Sequence, residues 1–139
     1  MQFLGGTVKE IGEKKIIKYK IPNKDLSKLM KKNYEIWKQN GLANNGYFII
    51  FDGFLENNKL RNISGGALKL YIYLGLNAKN MTGEVWHSIP RIAKYFGKSE
   101  RTINNWIAEL EKLNLIKRMQ MEVNGVSYTY IQPYELPIK

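Results

Sequence analysis

The sequence predicts an α+β fold, helices followed by a small antiparallel sheet, on three observations. Between residues 64 and 113 apolar residues recur at helical spacing in three stretches, and each opens on a serine suited to cap it: Ser64, Ser88 and Ser99. After them, "LIKRMQMEVNGVSYTYIQPY" alternates apolar and polar residues on both sides of Asn124-Gly125, the strongest hairpin signal in the chain. Ahead of them, "GTVKEIGEKKIIKYKI" reads as a first hairpin. A length of 139 residues, 44% of them hydrophobic, suffices for one compact core and is short for two.

The first hairpin pairs Thr7 to Ile11 with Lys14 to Ile21 about a tight turn near Gly12 and Glu13, and Pro22 ends it. Asn23 is placed to cap a helix through about Gln39, which Gly41 closes. Leu26, Leu29, Met30, Ile36 and Trp37 share one face of it, and Lys28, Lys31, Lys32 and Lys38 the other. "GYFIIFDGFL" is a continuous apolar run, expected as a short buried strand bent at Gly53. The helix after Ser64 turns Ala67, Leu68, Leu70, Tyr71, Leu74 and Leu76 inward, and "TGEVWHS" is a short extended link.

The next helix is capped by Ser88, carries Pro90 in its first turn, where a missing N–H costs little, and stops at Gly97. Ser99 caps the third, which runs to about Leu113 with Ile103, Ile107, Leu110 and Leu113 at core spacing. Asn114 falls where a helix end commonly needs a left-handed residue, a conformation that Asn tolerates. A hairpin over 116–132 follows, and "PYELPIK" is expected to be irregular.

Lys and Arg number 22 against 12 Asp and Glu, a formal charge of +10 that favours a polyanionic partner, nucleic acid ahead of a membrane surface. All four arginines, Arg61, Arg91, Arg101 and Arg118, lie beyond residue 60. Before it only lysine supplies cations, which suits phosphate attraction better than bidentate reading. Either the first half extends this electrostatic footprint, or its apolar helix face meets a second copy, giving a homodimer. The chain has no cysteine, which excludes disulfides and thiolate metal sites and fits a reducing cytoplasm. No stretch approaches the ~20 apolar residues of a membrane span, and the first residues lack a signal-peptide core.

At "SIPRIAKYFGKSERTINNWIAELEKLNLIKR" the chain resembles the bacterial winged helix-turn-helix pattern. Ile92 and Ala93 match its first helix, with Ala93 small enough for two helices to cross closely. Gly97 matches the turn; Ser99, Arg101, Thr102 and Ile103 match the start of the recognition helix; Leu110, Glu111, Leu115 and Ile116 match its exit. Asn114 stands where the pattern has glycine. Together with "YFIIFDGFLENNKL" and "SGGALKLYIYLGL", this makes residues 47–120 similar to the helix-turn-helix part of plasmid and phage replication initiators and of small accessory proteins of mobile elements. Residues 1–46 resemble no family; with the length of the chain, the reading is one domain over 1–139: a hairpin, helix and strand extension (1–58), a winged helix-turn-helix (59–133) and a tail (134–139). The resemblance also implies binding of double-stranded DNA, in replication, conjugative transfer or transcription control, with other replication or transfer proteins as possible company.

In such a fold the third helix, 99–113, lies in the major groove and its first residues meet the base edges. Arg101, Thr102, Asn104 and Asn105 are the candidate base readers; arginine suits guanine O6/N7 and asparagine adenine N6/N7. Arg91, Lys94, Lys98 and Ser99 near the turn, with Lys117, Arg118, Gln120 and Asn124 in the wing, are candidates for the DNA backbone. Arg118 is the leading wing candidate, because a guanidinium enters narrow grooves well. Two adjacent asparagines inside a helix go against propensity, which favours a use for them.

No Cys/His cluster, Ser-His-Asp set, P-loop or paired-carboxylate metal site is present in the sequence, so neither catalysis, a cofactor nor a metal is expected. The lone histidine, His87, reads as a strand residue. Two other functions stay open. The chain could bind single-stranded DNA in a replication module, stacking bases on Trp106, Tyr128 and Tyr130. It could also be a protein-interaction adaptor, which predicts a large exposed apolar patch and no nucleic-acid binding.

Overall fold

In a computed structural model that describes residues 8–11, 15–18, 21–120, 122–123 and 125–134, the chain divides into two compact units, Met1–Gly46 and Tyr47–Lys139. Phe54 belongs to the core of the second unit and Phe48 packs against it.

In the first unit, β1 (Val8–Ile11) and β2 (Lys15–Lys18) run antiparallel with Val8 opposite Lys18. The turn expected at Gly12 and Glu13 lies outside the described residues. Helix α1 (Asn23–Asn44) begins after Pro22, whose carbonyl accepts from the N–H groups of Asp25 and Leu26, both at 2.9 Å. Asn23 is thus the first helical residue, and no side chain caps this end. The helix runs through Gly41, its expected stop, to Asn44, and the Asn45 N–H donates to the Gly41 carbonyl. An interior glycine costs only about 1 kcal/mol, and the good helix formers Leu42 and Ala43 follow it. No residue of α1 is buried, and Met30, Tyr34, Ile36 and Trp37 are exposed.

The second unit runs α2 (Gly53–Glu56), α3 (Lys59–Asn62), α4 (Gly65–Asn77), β3 (Glu84–Val85), α5 (Ile89–Phe96), α6 (Glu100–Lys112), β4 (Ile116–Gln120) and β5 (Ser127–Ile131). The serines expected to cap the three long helices do so: Ser64, Ser88 and Ser99 accept from the N–H groups of Ala67, Arg91 and Thr102. Both α5 and α6 close in Schellman motifs. The Lys98 N–H reaches the Ala93 carbonyl around Gly97 (φ 63°), and the Leu115 N–H reaches the Leu110 carbonyl around Asn114 (φ 60°). Asn114 therefore takes the left-handed conformation its position in the sequence asked for.

Helices α4 and α5 both pack on α6. The core between them holds Ala67, Leu70, Tyr71, Leu74, Ile92, Ala93, Ile103, Ile107 and Leu110, closed by Val85, Leu115 and Ile116 from the sheet side. Leu76, expected inward, is 60% exposed at the end of α4. The sheet is antiparallel in the order β3-β5-β4. Gln120 lies opposite Ser127, two residues out of the register that the two-residue turn expected at Asn124-Gly125 would give. The opposite ends of the strands fix this register: Ile116 pairs with Ile131, and the Gln132 N–H donates to the Leu115 carbonyl. The offset moves each cross-strand partner by two residues, so every side chain keeps its face.

The run "GYFIIFDGFL" is not a strand. Residues 46–51 have no regular structure and Gly53–Glu56 form one helical turn. The run is held by two aromatic anchors instead of a ladder. Phe48 lies where a Cβ of Gly75 would be and meets Tyr71 edge-on, while Phe54 stacks on Tyr71 with centroids 5.4 Å apart. The Phe51 N–H donates to the Tyr134 hydroxyl at 2.8 Å, and Ile49, Ile50 and Phe51 stay exposed.

Candidate nucleic-acid interface

Helix α6 divides its surface by period. Ile103, Ile107 and Leu110 are buried, which leaves Arg101, Asn104, Asn105 and Ala108 exposed together on the opposite side. Among the described residues, Arg101, Asn104 and Asn105 make no side-chain hydrogen bond within the protein. Thr102, grouped with them by sequence, is half-buried, and its hydroxyl lies 3.0 Å from the Ser99 Oγ. Thr102 and Ser99 are thus partners in the cap at the helix start.

Other polar groups along α6 are tied inward, and sequence reasoning missed these ties. The Glu109 carboxylate accepts from both the N–H (2.6 Å) and the hydroxyl (2.7 Å) of Ser64, clamping α6 to the first residue ahead of α4. A carboxylate there also complements the positive end of the α4 dipole. Glu111 accepts from the Arg118 N–H at 3.0 Å, and the Lys59 ammonium donates to the Leu113 carbonyl at 2.8 Å, a cation at the α6 C-terminus. Each tie joins residues with no local signature, so no short-range pattern could have disclosed them.

Trp106 is half-buried at the edge of the core face. Its ring stands edge-on to Phe96 with centroids 5.6 Å apart and fills the space a Cβ on Gly66 would need. That makes it the core-boundary aromatic its place at the edge of the core face predicts, in preference to the alternative of a stacking surface.

Around the turn, Arg91, Lys94, Lys98 and Ser99 are all exposed. His87 Nδ1 lies 2.6 Å from the Tyr73 hydroxyl, and the Tyr73 ring packs against Tyr95 and Phe96. Burial, and then the nearby Arg91 guanidinium, hold the His87 pKa below its ordinary value. Tyr71, nearly fully buried, has its hydroxyl pushed far above the ordinary tyrosine range, by desolvation first and by its neighbour and hydrogen-bond partner Tyr134 second.

In the wing, the candidates part company. Lys117 is exposed on the outer face of the sheet. Arg118 is on the inner face, half-buried, and its Nη1 donates to the Oγ1 of Thr129, the one buried polar side chain among the described residues (1% exposed). Burial lowers the Arg118 pKa, against a raising contribution from Glu111. Gln120 Nε2 donates to the Gly125 carbonyl at 2.6 Å and so braces the loop. Asn124 lies outside the described residues.

Among the described residues no group of three or more His, Cys, Asp or Glu side chains is arranged to hold a metal. No helix among them is long and apolar enough to cross a membrane. No curated protein and no solved structure matches the chain. Residues 61–116, from α3 through α4, β3, α5 and α6 to the start of β4, match the family model of the helix-turn-helix domain. The helices of the matched segment, with the three-stranded antiparallel sheet that β5 completes beyond it, fit the arrangement of a winged helix.

Proposed function

We propose that this chain binds double-stranded DNA and prefers particular sequences, with α6 in the major groove and the wing against the backbone. One observation carries the reading. Within the segment that matches a helix-turn-helix domain, Arg101, Asn104 and Asn105 share the exposed face of α6 and have no bonding partner in the protein among the described residues. Each bidentate pairing with a base contributes roughly 1–3 kcal/mol of discrimination. Thr102 borders this face. Arg91, Lys94, Lys98, Ser99 and Lys117 supply phosphate contacts, which set orientation without reading sequence. Asn124 adds to the wing contact, while Arg118 and Gln120 serve mainly by holding the wing in shape.

The chain acts by binding, in the cytoplasm, and not by catalysis. Its resemblance to replication initiators and mobile-element accessory proteins supports a role in plasmid or phage replication, conjugative transfer or transcription control, alongside other proteins of that process. The exposed Met30, Tyr34 and Trp37 on α1 support pairing with a second copy.

The test is fluorescence anisotropy with random duplexes over a salt series, followed by selection from a random duplex library. Salt-dependent binding with an enriched motif supports the reading. Absence of duplex binding would overturn it. That outcome would favour a protein-interaction role, to which the exposed Ile49, Ile50, Phe51 and Leu55 lend support.

A further inference from the structure

The sheet of the second unit buries one face against the helices, and the other would ordinarily be polar. Here it is not. Cross-strand register sets Glu84, Tyr130 and Lys117 in one row. In the next row Tyr128 lies opposite Met119, and Trp86, one residue past β3, reaches it with ring centroids 5.5 Å apart. Tyr128 and Tyr130 lie 24° from parallel with centroids 6.3 Å apart, which extends the ladder along β5. Trp86 is 47% and Met119 42% exposed.

Cations rim the ladder. The Lys79 ammonium stands 4.8 Å from the centre of the Trp86 ring and also lies 3.6 Å from the Glu84 carboxylate, the one acidic group among the described strand residues of this face. Lys117 closes the other edge.

We propose that this face is a stacking site for unpaired bases of single-stranded DNA, distinct from the base-reading face of α6 and sharing with the duplex contact only the phosphate-binding Lys117. Planar rings on a sheet offer every base a π-surface, and lysines beside them meet the phosphates. The charge decides the occupant. Lys79 and Lys117 outnumber Glu84 along the described rim, so its balance is positive, which fits a polyanion better than an apolar protein surface. The site replaces the Trp106-centred platform considered from sequence, since Trp106 is committed to Gly66 and Phe96, while Trp86 joins Tyr128 and Tyr130.

The full chain is titrated into a fluorescein-labelled oligothymidylate of about 12 nucleotides, a length within the range such sites cover. An oligouridylate of equal length and a random duplex are titrated in parallel. Wild type, Trp86→Ala, Trp86→Phe, Tyr128→Ala and Arg101→Ala are compared, with circular dichroism to verify folding. Loss of one stacking ring is expected to weaken single-strand binding roughly 5- to 150-fold. Trp86→Phe, which keeps a ring, is expected to retain most of it. Duplex affinity is expected to be unchanged in the Trp86 and Tyr128 variants, and Arg101→Ala is expected to spare the single strand. The proposal is overturned if wild type ignores the oligothymidylate, or if folded Trp86→Ala binds it as tightly as wild type. Tenfold tighter binding of the oligouridylate would overturn the assignment to DNA. A failure of duplex binding alone would sink the proposed function and leave this site standing.

Discussion

Substituting Gly66 by alanine tests how the recognition helix is seated. Gly66 is the second residue of α4, and a Cβ there would meet the ring atoms of Trp106, on α6, well inside van der Waals contact. On backbone grounds alone, Gly→Ala in a helix stabilises by about 0.5–1 kcal/mol. Against that stands a rigid indole, itself wedged edge-on to Phe96, and overpacking of this kind costs about 1–3 kcal/mol. The packing term wins, so Gly66→Ala is expected to destabilise the protein by about 0.5–2 kcal/mol. Removing the obstacle reverses the sign: in a Trp106→Ala background the same substitution should stabilise by about 0.5–1 kcal/mol. The double-mutant cycle is measured by urea unfolding, followed by far-ultraviolet circular dichroism because one tryptophan is lost. A Gly66→Ala effect of the same sign and size in both backgrounds would refute the seating of α6 on α4 described above.

Three further outcomes are expected. Arg101→Ala and Asn105→Ala should each weaken a selected duplex by about 1–3 kcal/mol and relax preference at one base pair, whereas Lys98→Ala should weaken all duplexes alike and flatten the salt dependence; anisotropy titrations separate the two patterns. Arg118→Leu leaves the buried Thr129 hydroxyl without its partner and should lower stability by about 1–3 kcal/mol while duplex affinity of the folded protein changes little; a large loss of affinity at unchanged stability would restore Arg118 as a groove contact. His87 is the only histidine, and its pKa in the folded chain lies below the ordinary 6.5, so the unfolded chain binds the proton more readily. Its contribution to stability is complete above pH 6.5 and is lost as the pH falls below that value; urea midpoints from pH 7 to pH 5 should show a decline that His87→Gln removes.

Local signals proved legible where the structure itself is local. The three serine caps, Gly97 and Asn114 at the ends of α5 and α6, and the 3.6-residue spacing of Ile103, Ile107 and Leu110 all act within one turn or two, and the structure follows each. The outward set Arg101, Asn104 and Asn105 follows from that spacing alone. What escaped is non-local. "GYFIIFDGFL" has strand-like composition, but Phe48 and Phe54 each find Tyr71, and two anchors six residues apart hold the segment without a ladder. Asn-Gly is a strong turn former, but the wing's register is decided at the far end by Ile116 and Ile131. Arg118 alternates with Lys117, and only the sheet's orientation says which of the two faces inward.

The polar residues of α6 show why the exposed trio deserves the functional weight. A helix that only filled a core would carry solvated polar residues of high helix propensity on its outer side. The polar side chains at the boundary of α6 instead have assigned partners: Glu109 with Ser64, Glu111 with the Arg118 N–H, Thr102 with Ser99. Lys59 adds a fourth tie, at the helix end. The ties at Glu109, Glu111 and Leu113 anchor the C-terminal half of α6 and the Ser99–Thr102 cap closes its first turn, so that Arg101, Asn104 and Asn105 project from a well-held helix. Asparagine is a poor helix former, and two in succession lower the stability of a helix whose seating is otherwise well secured. A well-held face that carries unfavourable residues with unspent hydrogen-bonding groups is the arrangement that reading a base edge requires, since discrimination depends on donors and acceptors held in place before the partner arrives.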